Sequence, residues 1–175
     1  MSSGCTTYKE HYVSLDSRHR NRTIWPSSSQ YSISISSNIF FDGTPPDSYY
    51  KSVRTVEVID VTYPNRNNVV NEMYLYLCIP EIGGVFDATS STGSNAIAKL
   101  VPTKLMGEYA FVQYEKSQRP YKCFNFATNK EISTLTVEFR KNDGSLFNFG
   151  TENTSNLPLN PVLQTNVTLR VCTQW

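Results

Sequence analysis

The chain has 175 residues, enough for one domain with a real core, and its 16 basic and 15 acidic side chains leave a net charge of +1. That near-neutrality argues against a protein that coats nucleic acid, which needs a basic field, and fits a surface that packs closely against neighbours. Only 18% of residues are charged whereas 13% are aromatic, a balance that suits pleated sheets and surfaces that become covered.

Residues 1–10 are polar and lack the apolar stretch of a secretory leader. They are assigned to an N-terminal arm, and residues 11–175 to a single domain. No run reaches the roughly 18 apolar residues of a membrane helix, so no membrane span is expected, and synthesis in a reducing compartment is. Along the rest of the chain, short runs alternate in polarity or are rich in β-branched and aromatic residues, with turn residues between them. Strands are predicted at 11–16, 30–36, 52–63, 73–79, 96–101, 109–114, 122–126, 132–141, 145–149 and 165–173. Residues 42–47, Asp-Gly-Thr-Pro-Pro-Asp, belong to a loop. A helical turn fits 48–51, and 82–95 and 151–161 read as long irregular connections.

The clearest strand is 132–140. Leu135, Val137 and Phe139 face one way, and Thr134, Thr136, Glu138 and Arg140 the other. The turn Asn142-Asp143-Gly144 follows, and a return strand with Leu146, Phe147 and Phe149 is expected after it. In the last strand Val167, Leu169 and Val171 point inward, while Thr168 and Arg170 point outward. Leu135, Val137, Phe139, Leu169 and Val171 are therefore expected in one core. The pattern predicts an all-β fold, an antiparallel β-sandwich. A single jelly roll with about eight strands in two sheets fits best, because its sheet-to-sheet connections absorb loops of this length.

Chemistry is sparse. Cys5, Cys78, Cys123 and Cys172 are scattered with no Cys-x-x-Cys pair, so no zinc site is expected, and Cys78 and Cys172 read as buried free thiols. The two histidines, His11 and His19, belong to no metal or catalytic motif. Glu57, Asp60 and Glu138 read as solvated strand carboxylates rather than a glycosidase pair. A Ser or Cys nucleophile would need a histidine base, and Cys5, near His11 in sequence, lies in the arm. Neither enzyme activity nor a cofactor is expected.

One segment stands out, "LDSRHRNRTIWP". If residues 16–22 are extended, Asp16, Arg18, Arg20 and Arg22 project to one side. Three readings stay open: a grip on nucleic-acid phosphate, a solvated edge in which Asp16 pairs with an arginine, and a clamp on another loop or subunit. Arginine suits the third, since its planar fork tolerates desolvation. Trp25, beside Pro26, either plugs the end of the sandwich or anchors an interface. The candidate clamp or interface residues are thus Asp16, Arg18, Arg20, Arg22 and Trp25, with Trp175 at the end of the chain.

Leu15-Asp16-Ser17-Arg18-His19-Arg20, Trp25-Pro26 and Tyr31-Ser32-Ile33-Ser34-Ile35 are followed by a Val- and Glu-bearing strand that ends at Tyr63-Pro64-Asn65. In that order they resemble the small jelly-roll capsid proteins of nucleocytoplasmic large DNA viruses and their relatives. Residues 135–150, a strand, an Asp-Gly turn and a Phe-bearing return, resemble that family's penultimate hairpin. His19 departs from the motif, which has a second aspartate there. The resemblance implies a minor capsid or penton (vertex) subunit of an icosahedral shell, since the chain is too short for a double jelly roll. It implies partners as well: copies of itself, as a homopentamer or another homo-oligomer, a double jelly-roll major capsid protein, and other minor capsid proteins. No small-molecule substrate and no nucleic acid are expected. The protein would reside in the virion after assembly in the host cytoplasm. The alternative from another class is a carbohydrate-binding, lectin-like β-sandwich module, with Tyr49, Tyr50, Trp25 or Trp175 as stacking platforms.

Overall fold

The computed structural model describes residues 8–35, 50–85, 87–102, 111–115, 123–152 and 158–174. Its strands are β1 (Tyr8–Asp16), β2 (Gln30–Ser34), β3 (Val53–Pro64), β4 (Leu75–Cys78), β5 (Ala96–Leu100), β6 (Phe111–Glu115), β7 (Cys123–Lys130), β8 (Thr134–Arg140) and β9 (Asn166–Gln174). A one-turn α-helix, α1 (Ser91–Ser94), lies between β4 and β5. One sheet runs β1-β9-β3-β6, with β7 also on β3; the other runs β2-β8-β4-β5. All pairings are antiparallel.

The order is that of a jelly roll. β6 pairs with β3 from Pro64 to Asp60, and β7 takes up the same edge from Glu57 to Val53. The two act as one strand in two pieces. Counted so, eight strands pair first with last, second with seventh, third with sixth and fourth with fifth. That nesting is a long hairpin rolled into two facing sheets.

Alternation supplies the core. Leu135, Val137 and Phe139 of β8 and Leu169 and Val171 of β9 are all buried in one cluster. Phe139 lies against Tyr63 and Phe149, with ring centres 6.1 and 5.3 Å away. Within this core the buried Tyr31 hydroxyl donates to the Leu15 carbonyl at 3.1 Å.

Several elements differ from expectation. The return strand at 145–149 is reduced to one bridge, Arg140 with Leu146. Asn148 folds back to accept the Gly150 N–H at 2.8 Å, and Gly150 turns the chain at φ +116°, a conformation that glycine reaches without strain. Pairing with β8 stops there, and Phe147 and Phe149 enter the core instead. Residues 8–10, assigned to the arm, are the first three residues of β1 and pair with β9. Cys172 is half-buried, not buried; it shares parity with Thr168 and Arg170 on the outer face. Cys5, the loop at 42–47 and residues 48 and 49 of the expected helical turn lie outside the described residues. The 82–95 connection is folded tightly on itself: a Cβ on Gly84 would fall 1.6 Å from the Ser94 carbonyl oxygen.

Candidate functional site

The segment 16–22 is not an extended row. The Asp16 carboxylate accepts the Arg18 backbone N–H at 2.9 Å and caps a 3₁₀ turn, Ser17–His19. Short acidic side chains favour such local bonds over continued strand. The turn rotates the arginines to different sides. Arg18 stays outside, its side chain 61% exposed, and its Nε donates back to Asp16 at 2.7 Å. Arg20 is driven inward, with its side chain 0% exposed. Arg22 is half-buried in the following loop.

Arg20 is a hub. Its Nε donates to the Trp25 carbonyl at 2.9 Å, and its Nη1 to the Ser17 carbonyl at 2.7 Å and to Gln164 Oε1 at 2.5 Å. Nη2 donates to Glu152 Oε2 at 2.5 Å and reaches the Pro26 carbonyl at 3.5 Å. A guanidinium has five N–H donors, and each has an acceptor here. The acceptors are also used up. Gln164 Oε1 takes the Ser17 hydroxyl as well, at 2.9 Å, while its Nε2 donates to Glu152 at 3.1 Å and to the Asn160 carbonyl at 2.7 Å. Glu152 Oε1 accepts the Asn160 N–H at 2.5 Å. Burial pushes the Glu152 carboxyl up, but the Asn160 N–H, the Gln164 amide and the Arg20 guanidinium outweigh it and hold its pKa below the ordinary glutamate value.

The network joins the β1–β2 corner to the segment entering β9. Ser17 and Thr165 add a reciprocal pair: the Ser17 N–H donates to the Thr165 carbonyl at 3.0 Å, and the Thr165 N–H donates to the Ser17 hydroxyl at 2.8 Å. Chemically the site is a clamp, with its charges spent on one another. Asp16 and Arg18 form its solvent side and line a recess of about 290 Å³ with Thr62, Phe111 and Asn166. Burial raises the Asp16 pKa, but Arg18, through its side chain, its N–H and its charge, brings it below the usual value. Because the Arg18 guanidinium is exposed and its removal leaves Asp16 the Arg18 N–H as a partner, Arg18→Ala should change stability by no more than about 1 kcal/mol in chemical denaturation. A larger loss would mean that the Asp16 cap depends on the guanidinium.

Trp25 is half-buried and packs against the main core, so its ring closes the sandwich end. Trp175 and Tyr49 lie outside the described residues. Tyr50 is 4% exposed and Trp25 is engaged with the core, so neither is an open stacking platform. Two strand carboxylates read as solvated are buried instead. Glu57 is 1% and Glu138 7% exposed, and each meets an arginine: Arg170 at 2.7 Å and Arg140 at 2.8 Å. For Glu138 the signal was present in the i, i+2 spacing of Val-Glu-Phe-Arg, which places both charges on one face. For Glu57 it was not, since Arg170 arrives only through the β3–β9 register. Among the described residues no three His, Cys, Asp or Glu side chains gather as a metal site, and no helix is long and apolar enough to cross a membrane.

No family model matches the chain, and no curated protein matches it. Among solved structures, a chain from Desmodium yellow mottle tymovirus is similar at 11% identity and a TM-score of 0.34, over 99% of this chain and 90% of that one.

Proposed function

We propose that the protein is a structural subunit of an icosahedral viral shell, a minor capsid or penton protein of a large DNA virus that acts by packing against its own copies and a double jelly-roll major capsid protein. The observation that carries this reading is the placement of the capsid-like motif. Leu15 to Arg20 forms the locked corner of a jelly roll, where a buried guanidinium ties the β1–β2 loop to the strand entry opposite. Such a corner gives the loops at that end a rigid base, which a shell subunit needs to present fixed shapes to its neighbours.

Two further features support it. By register, the 17–29, 65–74 and 158–165 segments share one end of the sandwich, since Asp16 and Thr62 both pair with Asn166. That end carries large apolar residues in water: Ile24 is 63% and Met73 79% exposed. Arg20, the innermost arginine of the motif, is consumed inside the chain, which leaves little of the row for phosphate.

The test is co-expression with a double jelly-roll capsid protein. The expected result is co-purification that is lost in the Ile24→Ser/Met73→Ser double variant while its melting temperature is kept. Failure to associate, together with salt-sensitive DNA binding, would replace this reading with a nucleic-acid one.

A further inference from the structure

On the outer face of the β2-β8-β4-β5 sheet, the segment around α1 meets the turn after β8 over a cavity of about 430 Å³. Its lining includes Cys78, Glu138 and Arg140 from the strands and Ser91, Thr92 and Asn95 from the covering segment. The two covers nearly touch: a Cβ on Gly144 would lie 3.1 Å from the Thr92 hydroxyl.

Arg140 is held in place. Its Nε donates to Glu138 at 2.8 Å and its Nη1 to the Gly144 carbonyl at 2.5 Å. Glu138, with its side chain 9% exposed, also accepts the Gln30 amide at 2.9 Å. Arg140 Nη2 has no hydrogen-bond partner among the described residues, nor do the Ser91 and Thr92 hydroxyls or the Asn95 side-chain amide. The Cys78 thiol is pushed up to about 11, by burial first and by Glu138 second, so at neutral pH it adds neither charge nor a thiolate nucleophile.

We propose that this cavity binds a neutral sugar residue. The charges of Glu138 and Arg140 cancel, so no net field selects an anion or a cation. Sugar hydroxyls each donate and accept, and the lining offers both functions side by side: guanidinium and amide donors, carboxylate and amide acceptors, and two hydroxyls. The size falls within the range of roughly 300–1,000 Å³ typical of small-ligand sites. A peptide fits less well. The Thr136 N–H, left open where β4 ends at Cys78, is taken by Glu81 at 2.9 Å, so that ladder position cannot pair with an added strand. The site lies on the sheet face and does not depend on the shell role.

The experiment is a titration of ¹⁵N-labelled chain with the methyl glycosides of glucose, galactose, mannose and N-acetylglucosamine. Sulfate and N-acetylneuraminic acid serve as anionic arms. The expected result is saturable shifts confined to amides of residues 91–95 and 138–144 with at least one neutral glycoside. Thr92→Val, which keeps shape, and Arg140→Lys, which keeps charge beside Glu138, should each weaken that binding about three- to tenfold, the effect of one lost hydrogen bond. The proposal is overturned if no glycoside gives saturable shifts, if the anions bind more tightly than every neutral sugar, or if binding survives both variants unchanged.

Discussion

Arg20→Ala should cost the folded chain about 3–5 kcal/mol, the range for removing one partner of a buried, hydrogen-bonded ion pair. The loss comes less from the missing attraction than from what is left behind. The Glu152 carboxylate, with 7% of its side chain exposed, would keep its charge without its cation. Gln164 Oε1 and the Ser17 and Trp25 carbonyls would each lose a donor. The effect should depend on pH with a definite sign. The folded-state pKa of Glu152 is depressed, so its stabilisation is complete above the ordinary glutamate pKa and is lost as pH falls through the folded value. That part of the acid dependence should vanish in Glu152→Gln. Denaturant unfolding of both variants across acid pH checks the claim, and a loss under about 1 kcal/mol for Arg20→Ala, typical of exposed sites, would show that water replaces the clamp.

Phe139→Ala should cost a similar amount, about 3–5 kcal/mol, for a different reason. Phe139 is 0% exposed and fills the space between Tyr63 and Phe149. All three rings are rigid, so the gap cannot close easily, and the cavity term adds to the lost transfer energy. Thermal or denaturant unfolding reads it directly. A loss under about 1 kcal/mol would mean that this face of β8 is not the core face.

The two variants mark what could and could not be seen in the sequence. Phe139 was legible because strand periodicity is local: Leu135, Val137 and Phe139 against Thr134, Thr136 and Arg140 needs no partner to be read. The parity of Cys172 with Arg170 was equally readable, and the apolar run around it masked the pattern. Arg20 was not legible. Its partners Glu152 and Gln164 lie 132 and 144 positions away, and only the jelly-roll nesting brings the segment before β9 beside the β1–β2 corner. The local signal even pointed elsewhere, since the alternating arginines fit an extended row until Asp16 captures the Arg18 N–H and starts a turn. The missing strand at 145–149 has the same origin. Asn-Asp-Gly correctly marks a turn, but Gly150 redirects the return, and the phenylalanines gain more by burial than by continued pairing.

The proposed role is that this jelly roll builds a shell by packing against its own copies. The most direct measurement is electron microscopy of the purified chain over a concentration series, with mass measured on the same samples. Closed rings of identical copies, five to a ring for a vertex subunit, are the predicted result. A particle that stays monomeric at every concentration would contradict it.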